Sequence, residues 1–466
     1  MSTAVEPLAA PAVAPPRGRR WIQDWRPEDP AFWASNGALV ARRNLVFSIL
    51  CEHIGFCIWS MWSVLVLFLG PAYGIDPAGK FLLTAVPTLV GATIRLPYTY
   101  AVARFGGRNW TVFSAALLLV PSISVAVLLE PGVSYSTLLL LAAVAGVGGG
   151  NFASSMANIN AFYPDRLKGW ALGINAGGGN IGVAAVQIVG LVVLAAFGAT
   201  ADPRIVAGIY IPLIVVAALL AARYMDNLVP ARNDRRALRD VVREPHTWVI
   251  CLLYIGTFGS FIGFGFAFGQ VLLIQFASSF STPVAAASLT FLGPLIGSLI
   301  RPVGGSLADR VGGARVTLWT FVAMAGAAST VLLASRMGSL ALFVTGFVAL
   351  FTFSGIGNGS TYKMIPAIFA AKTVMNSVPS TPAQPPAILG ERARDEARRL
   401  SGALIGLAGA VGALGGVLVN VAFRQSFLTV RSGDAAYVAF VVFYLICVAV
   451  TWAVYLRPSS RRLAGV

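Results

Sequence analysis

The stretch IRPVGGSLADRVGGARVT, residues 300–317, decides the fold because a second copy of it lies 206 residues earlier in the chain. The earlier copy, IRLPYTYAVARFGGRNWT at 94–111, places Arg95 opposite Arg301. The other identities are Ile94/Ile300, Arg104/Arg310, Gly106/Gly312, Gly107/Gly313 and Thr111/Thr317. At an offset of 209, GVGGGNFASSM (146–156) likewise meets GIGNGSTYKMI (355–365). These matches predict a chain of two related halves.

The composition places both halves in a membrane. Hydrophobic residues make up 57% of the 466 and charged residues only 11%, with a mean hydropathy of +0.77, which is far outside the soluble range. Twelve apolar stretches are long enough to cross a bilayer as helices. They are 44–70, 80–103, 110–129, 135–163, 169–198, 205–225, 246–277, 284–308, 315–335, 339–369, 399–423 and 434–456. We therefore predict an all-α polytopic membrane protein with twelve transmembrane helices in two six-helix halves.

The net charge of +16 follows the predicted loops. A basic chain can bind nucleic acid, but one with long apolar spans more often carries Lys and Arg in its cytoplasmic loops. With both termini inside, 26 of the 34 Lys and Arg residues fall in cytoplasmic segments, five outside and three within spans. We therefore expect a multi-pass protein of the cytoplasmic (inner or plasma) membrane, in contact with the lipid bilayer, with both termini cytoplasmic and no nucleic-acid partner.

The same loops divide the chain into segments. The first 43 residues are rich in Pro and Ala and have no apolar core of a signal peptide, so they are predicted to be a cytoplasmic tail. A basic, polar stretch between the sixth and seventh spans is predicted to link the halves. The predicted segments are the tail 1–43, an N-terminal bundle 44–225, a linker 226–245, a C-terminal bundle 246–457 with a flexible, Pro-rich cytoplasmic loop at 371–397, and a tail 458–466.

Two arginines lie inside the predicted spans. Placing an arginine near the bilayer centre costs on the order of 3 kcal/mol, so such residues usually face a cavity on a substrate path. Snorkelling to the surface is the alternative, but Arg95 lies about nine residues, roughly 13 Å at 1.5 Å per residue, from the cytoplasmic end of its span. Since Arg95 and Arg301 occupy matching places in the two halves, we predict that they bind an anion.

Glycine-rich segments interrupt four of the spans. Small residues let membrane helices approach closely, which is the common structural interpretation of such segments. A phosphate-binding loop is the alternative, but that motif needs a strand before it and a helix after it in water. We therefore predict helix packing and sliding for the glycines in these segments, of which the principal ones are Gly148, Gly150, Gly173, Gly177, Gly357 and Gly359.

The segment GGSLADRVGGAR at 304–315 resembles the cytoplasmic loop signature of the major facilitator superfamily. The resemblance implies that fold and implies that Asp309, Arg310 and Arg315 form a gating loop, in which charge contacts at helix ends hold one conformation. The first-half copy has Ala103 where Asp309 stands. Its contacts must therefore differ.

Two longer motifs resemble the nitrate signatures of the nitrate/nitrite porters, the NarK-type carriers of that superfamily. They are GNFASSMANINAFYPDRLKGWALGINAGGGNIG (150–182) and GIGNGSTYKMI (355–365). The similarity extends over about 42 to 457. It implies a secondary active transporter that moves nitrate, and nitrite in the same site, by alternating access. A carrier of this fold for another small organic or inorganic anion is the alternative.

The resemblance also implies which residues hold the anion. A guanidinium is a flat fork of donors that matches a planar oxyanion, and Arg95 and Arg301 are expected to hold nitrate between the halves. Four further positions match the family pattern: Phe152, Asn175, Tyr254 and Phe258. Tyr254 and Phe258 share one helix face, since they are four residues apart. For each aromatic alone the structural alternative is helix packing, and for Asn175 it is a hydrogen bond between helices.

What moves with the anion is open at this stage. Glu52 and Lys363 lie inside predicted spans at similar depth, with His53 beside Glu52. Buried membrane charges usually pair with each other, so a structural ion pair between Glu52 and Lys363 is one interpretation. The other is that Glu52 or His53 carries a proton inward, because imidazole titrates near neutral pH. The first fits nitrate/nitrite antiport and the second fits nitrate/proton symport.

The chain offers little for any other chemistry. Its four cysteines lie in apolar runs without a CxxC pair, and it has only two histidines, which gives no disulfide framework, metal site or catalytic cluster. We therefore expect no enzyme activity, no cofactor and no metal. We also expect the carrier to be a monomer.

Overall fold

The computed structural model describes residues 20–198, 201–229, 235–280, 282–376 and 386–457. In this part of the chain, twelve helices are long and apolar enough to cross a membrane. They are α1 Pro30–Phe68, α2 Pro77–Phe105, α3 Gly107–Leu128, α4 Tyr135–Phe162, α5 Asp165–Phe197, α6 Arg204–Tyr224, α7 Pro245–Gln275, α8 Val284–Val311, α9 Gly313–Met337, α10 Leu340–Asn376, α11 Pro386–Val430 and α12 Asp434–Leu456. The predicted twelve-helix fold is confirmed.

Local sequence signals set the ends of the helices. Asp76 caps α2, accepting the Gly79 N–H at 2.7 Å, with Pro77 in the first turn, where proline lacks only an N–H that the helix would leave unpaired. The same helix ends at Gly106, whose φ of +87° suits a residue without a Cβ. Its counterpart Gly312 ends α8 with φ +95°. The duplicated motif therefore makes the same sharp turn in both halves.

Each half packs its own apolar core, and paired helices join the halves. α2 contacts α11, and α5 contacts α8, so each half provides two helices to the interface. One core cluster is built mainly from the C-terminal half, and a second from α1, α3, α4 and α6 of the N-terminal half. Arg95 of α2 and Arg301 of α8 lie on two of these interface helices.

The start of the described chain packs across one end of the N-terminal half. β1 (Trp21–Ile22) pairs in parallel with β2 (Asn227–Leu228), and Asp29 caps α1. The predicted tail 1–43 includes the first turns of this helix, which begins at Pro30. Residues 1–19 of that tail and all of the predicted tail 458–466 lie outside the described residues.

The structure corrects the other predicted loops. α10 continues to Asn376 and α11 begins at Pro386, so the prediction of a flexible loop over 371–397 is wrong at both of its ends, and 377–385 lie outside the described residues. The predicted linker 226–245 contains β2 and a short helix, Arg235–Val242, of strongly amphipathic sequence. Basic surface segments that lack hydrophobic runs still fold where an apolar face can be buried.

Candidate anion site between the halves

Arg95 is fully buried at the centre of the molecule and connects the two halves. Its Nε donates to the carbonyl of Gly149 in α4 at 3.1 Å, and its Nη1 donates to the carbonyl of Gly409 in α11 at 2.7 Å. A charge removed from water needs such partners. The side chain therefore does not snorkel to the surface, and the prediction that it faces the interior is confirmed.

Three aromatic rings surround the Arg95 guanidinium. Its central carbon lies 4.6 Å from the ring centroid of Phe152, 5.0 Å from Phe258 and 5.1 Å from Trp59. Rings at this distance attract a cation through their negatively polarised faces. The rings thereby offset part of the cost of burying the charge and leave the donors at the edge of the guanidinium available.

Arg301 occupies the equivalent place in the C-terminal half. It is only 4% exposed, its Nη2 donates to the Tyr254 hydroxyl at 3.2 Å, and its guanidinium lies 5.3 Å from the ring centroid of Tyr362. The rings of Tyr254 and Tyr362 are 4.8 Å apart. Each arginine is therefore held by aromatic residues.

A row of stacked rings runs from one arginine toward the other. Phe152 stacks on Phe258 at 5.9 Å, and Phe258 stacks on Tyr254 at 5.2 Å with the planes 9° apart. The expectation that Tyr254 and Phe258 share one helix face is confirmed, although the helix widens to a π-type turn at Ile255–Gly259. Such turns occur often at functional sites.

Each arginine keeps one buried N–H group without a hydrogen-bond partner among the described residues. These are Nη2 of Arg95 and Nη1 of Arg301, one from each half. A buried, unpaired charged donor costs on the order of 1–3 kcal/mol or more. Two such donors beside an aromatic wall are suited to a small anion with several acceptor atoms.

Asn175 lies elsewhere in the hydrogen-bond network. Its amide nitrogen donates to Oε2 of Glu52 at 2.6 Å and to the Ser155 hydroxyl at 2.7 Å. In this structure Asn175 therefore binds the side chain of Glu52. This is an interhelical hydrogen bond, the structural alternative to a role as an anion ligand.

The comparisons with known proteins identify the family of the chain. The family described as Major Facilitator Superfamily matches residues 49–381. This chain belongs to the major facilitator superfamily.

Relatives place the carrier among the nitrate/nitrite porters, as the motifs predicted. It is 36% identical over 458 residues to the nitrate/nitrite transporter NarU of Escherichia coli, with 94% of this chain and 97% of that protein covered. It is 34% identical to a Thermus thermophilus protein named "Probable nitrate/nitrite antiporter NarK2", with 95% and 98% covered.

Solved structures share the fold of the carrier. The crystal structure of a D-xylose-proton symporter matches with a TM-score of 0.64 at 14% identity, over 92% of this chain and 99% of that one. A bacterial homolog of the human lysosomal transporter Spinster matches with a TM-score of 0.61 at 17% identity, over 88% and 95%. These likenesses concern the fold alone.

A cavity leads from Arg95 toward one end of the carrier. It is lined by Arg95 and Thr99 of α2, Phe152, Met156 and Asn160 of α4, Leu172 of α5, and Gly402, Gly406 and Gly409 of α11. These residues follow Arg95 toward the end of α2, and toward the corresponding ends of α4, α5 and α11. From the distribution of Lys and Arg, we predict that this end faces the cytoplasm.

Hydrogen bonds between the halves lie on the other side of Arg95. Thr84 donates to Asn420 at 2.7 Å, the Gln187 amide donates to the carbonyl of Gly265 at 2.8 Å, and the Gln270 amide donates to the carbonyl of Pro77 at 2.7 Å. The halves are thus held together at the predicted outer side. They enclose a cavity at the predicted cytoplasmic side.

The three candidate residues for proton coupling, Glu52, His53 and Lys363, have different surroundings in the structure. Glu52 is fully buried against α5, and one of its oxygens, Oε1, has no hydrogen-bond partner in the described residues. Lys363 pairs instead with Asp309 at 2.8 Å, so the interpretation of Glu52 and Lys363 as an ion pair is wrong. His53 has its Nδ1 3.0 Å from the carbonyl of Gly178.

The predicted gating loop makes its charge contact within one half. Asp309 at the end of α8 contacts Lys363 of α10, and both side chains are partly exposed. Arg310 and Arg315 are exposed at the same surface. A salt bridge between exposed side chains contributes about 0–1 kcal/mol, so this contact biases the position of α10 against α8 only weakly.

The signature glycines divide into two groups. A Cβ at Gly148, Gly150, Gly357 or Gly359 would lie 2.2 to 2.6 Å from a neighbouring atom, so these four confirm the predicted close packing. A Cβ at Gly177 would meet only Ser298 O at 3.9 Å, and one at Gly173 would meet nothing within 4 Å. The packing interpretation is wrong for Gly173.

Sequence reasoning missed three contributors to the site. Trp59 and Tyr362 provide rings to the two guanidinium groups, and Gly409 provides a carbonyl to Arg95. Tyr362 lies within the second signature, GIGNGSTYKMI, so the motif contained the signal. Trp59 and Gly409 lie in ordinary apolar or glycine-rich helix, and only the packing of the helices shows their role.

Proposed function

We propose that this carrier moves nitrate and nitrite across the cytoplasmic membrane by alternating access, with the anion held between Arg95 and Arg301. The observation that carries the proposal is the pair of buried, unpartnered guanidinium N–H groups, one in each half. Nitrate is planar and singly charged, and a guanidinium can donate to it in its own plane. The names of the relatives support this substrate.

The site suggests why transport needs the anion. Two guanidinium groups that approach each other without an anion repel, and burying them together is costly. An anion between them removes that repulsion and bonds both halves at once. Rocking of one half against the other then exposes the anion to each side in turn.

Proton coupling is a further part of the proposal. Glu52 forms no salt bridge with any of the described residues, and it lies on the N-terminal half near both arginines, whose charges act on it. A proton on Glu52 would change the charge around the site as the anion enters. We assign the proton to Glu52 rather than to Lys363, which is paired with Asp309.

Uptake of labelled nitrate into proteoliposomes tests the function, with internal nitrite and the pH gradient varied independently. Uptake driven by an inwardly directed proton gradient, without internal nitrite, supports symport. Uptake that requires internal nitrite and ignores the gradient contradicts symport and leaves antiport. Failure of unlabelled nitrate and nitrite to compete, with competition by another small anion, would assign the site to that anion.

The Glu52→Gln variant separates the two couplings within one protein. We expect it to lose gradient-driven uptake and to keep nitrate/nitrite exchange, because the amide retains the hydrogen bond to α5 but cannot release a proton. His53→Ala tests the other titratable group on the same helix, and loss of gradient-driven uptake in that variant alone would assign the proton to His53. Equal gradient dependence in Glu52→Gln and the unsubstituted carrier would remove Glu52 from the mechanism.

The orientation of the carrier belongs to the same proposal. The distribution of Lys and Arg supports placing both termini, and the open end of the cavity, in the cytoplasm. Accessibility of a tag at either terminus in intact cells tests this. We also propose that a single chain is the transport unit, since it contains both arginines.

A further inference from the structure

α1 carries a polar stripe that ends at Glu52. Asn44, Ser48 and Glu52 are spaced four residues apart, so they lie on one face of the helix. All three side chains are buried, at 0%, 1% and 0% exposure. A buried polar stripe inside a membrane helix is costly unless its groups have partners, and here each has a partner on another element.

Hydrogen bonds connect Ser48, the middle residue of the stripe, to Glu52. The hydroxyl of Ser48 lies 3.0 Å from that of Ser155 in α4. The amide nitrogen of Asn175 donates both to the Ser155 hydroxyl and to Oε2 of Glu52. Asn175 thus links the carboxyl group of Glu52 to the Ser155 hydroxyl. Two hydroxyl groups therefore follow one another from the carboxylate toward the predicted cytoplasmic side.

At its other end, the stripe reaches the predicted cytoplasmic end of the bundle through Asn44. The Asn44 amide donates to Oδ2 of Asp226 at 3.1 Å, and Asp226 pairs with Arg43 at 2.5 Å and with Arg20 at 3.6 Å. Asp226 lies two residues after the end of α6 at Tyr224 and directly before β2. The stripe thus begins at a carboxylate near the cytoplasm and ends at one in the membrane interior.

Hydroxyl and amide groups from three helices surround the middle of the stripe. They line a narrow cavity between α1, α3 and α4, and its polar side chains besides Glu52 are Ser48, Thr111, Ser114, Asn151, Ser154 and Ser155. Oδ1 of Asn151, which is 3% exposed, has no partner among the described residues. In this conformation the cavity is narrower than a water molecule, and Ser48 and Ser155 are the hydroxyl groups in contact beside it.

We propose that this stripe is a proton path inside the N-terminal bundle, separate from the anion cavity between the halves. The inference rests on the proposed coupling through Glu52. Protonated Glu52 releases its proton toward Ser155, each hydroxyl accepts one proton and gives up its own, and water that enters as α1 and α4 separate carries the proton to Asp226 and the cytoplasm. Glu52 is left as a carboxylate, and no other bond changes.

Separate paths have a physical reason. The charges that act on Glu52 from other helices are Arg95 of α2 and Arg301 of α8, and His53 of α1 contacts the carbonyl of Gly178 instead. A proton that left through the anion cavity would pass these two cations, which repel it. Toward the stripe, the cavity-lining groups besides Glu52 are uncharged, and at its far end Asp226 pairs with the two cations Arg43 and Arg20.

The test uses purified carrier in proteoliposomes, with a pH-sensitive dye trapped inside and labelled nitrate outside. Ser48→Val is expected to slow gradient-driven nitrate uptake and dye-reported proton entry by about tenfold or more, since positioned acid and base groups contribute about 100-fold or more to proton transfer. Nitrate/nitrite exchange without a gradient should be unchanged. Ser48→Ala, which makes room for water, should be slowed less than Ser48→Val.

Ser60→Ala is the matched control. Ser60 is a fully buried serine of α1 that donates only to the carbonyl of Phe56 in its own helix at 2.6 Å, so its loss should leave both assays unchanged. Loss of gradient-driven uptake in Glu52→Gln but not in Ser48→Val would overturn the path and leave the coupling intact. Absence of any gradient dependence in the unsubstituted carrier would overturn both, and equal loss of exchange in Ser48→Val would show a structural role only.

Discussion

At the scale of single residues, the two arginines differ in what already holds them. Arg95 donates to two carbonyl groups, one in each half, whereas Arg301 donates to one phenol. Both still have an unpaired N–H group. An anion that accepts hydrogen bonds from these groups gives each buried donor a partner, so part of the binding free energy comes from hydrogen bonds that the described protein groups do not form.

Replacement of either arginine by lysine tests this arrangement. Lysine keeps the charge, but its ammonium cannot form the flat fork that meets a planar anion edge to edge. We expect Arg95→Lys and Arg301→Lys each to reduce nitrate transport by about 100-fold, because a lost charge-assisted hydrogen bond costs about 1.5–3 kcal/mol. Arg336→Lys, at an exposed position at the end of α9, is the control. Near-normal uptake in either buried variant would remove the arginine pair from the site.

The residue scale also shows where sequence reasoning ends. Arg95 and Arg301 were predictable because a charge inside an apolar run needs an explanation, and the repeat aligns them. Asn175 was not, because an amide in a glycine-rich helix can serve an anion or a neighbouring carboxylate, and only the position of Glu52 decides between them. The Lys363 partner was hidden for the same reason, since depth along separate helices does not give the distance between side chains.

At the scale of helices, glycine determines how closely α10 and α8 can pack. A Cβ at Gly359 would lie 2.3 Å from the carbonyl oxygen of Arg301 and 2.6 Å from the backbone nitrogen of Gly305. Backbone atoms cannot rotate away as side chains can. Gly359 therefore fixes the height and direction of Arg301 through the backbone of α8.

We expect Gly359→Ala to lower the melting temperature of the purified carrier and to weaken nitrate binding. Overpacking of this kind typically costs about 1–3 kcal/mol, and the displaced backbone carries Arg301 with it. Gly173→Ala is the matched control, because it places the same methyl group in open space within another signature segment. Thermal unfolding in detergent measures both, and equal melting temperatures for the two variants would contradict the assigned contact.

The helices themselves were predictable because length and hydropathy suffice to place them in a bilayer. The segment 371–397 was not, since a Pro-rich sequence with charged residues was interpreted as a loop although helix covers both of its ends. Proline is tolerated in the first turn of a helix, and Pro386 occupies that place in α11. Composition alone does not separate a helix start from a loop.

At the scale of the whole molecule, alternating access requires that contacts between the halves exist on one side at a time. Hydrogen bonds close the predicted outer side, whereas the cavity runs from Arg95 to the predicted cytoplasmic side. One ion pair still crosses between the halves there, from Arg398 of α11 to Asp165 at the start of α5. Wider opening toward the cytoplasm must break it.

We predict that Arg398→Gln shifts the carrier toward the state that is open to the cytoplasm. The ion pair is partly exposed, so its loss should change the equilibrium by about 1 kcal/mol or less, which is roughly fivefold at most. Labelling of Thr99→Cys by a membrane-impermeant thiol reagent in inside-out vesicles measures the opening, because Thr99 lines the cavity and the four native cysteines are buried. Faster labelling is the expected result.

The control for this prediction shares the same carboxylate. Lys168 also pairs with Asp165, at 3.0 Å, but both residues belong to α5, so Lys168→Gln removes a positive charge without removing a bond between the halves. If the ion pair acts as a gate, Arg398→Gln accelerates labelling and Lys168→Gln does not. Equal acceleration in both would mean that charge near the cavity mouth, acting on the reagent, explains the effect, and the contact between the halves would then have no part in gating.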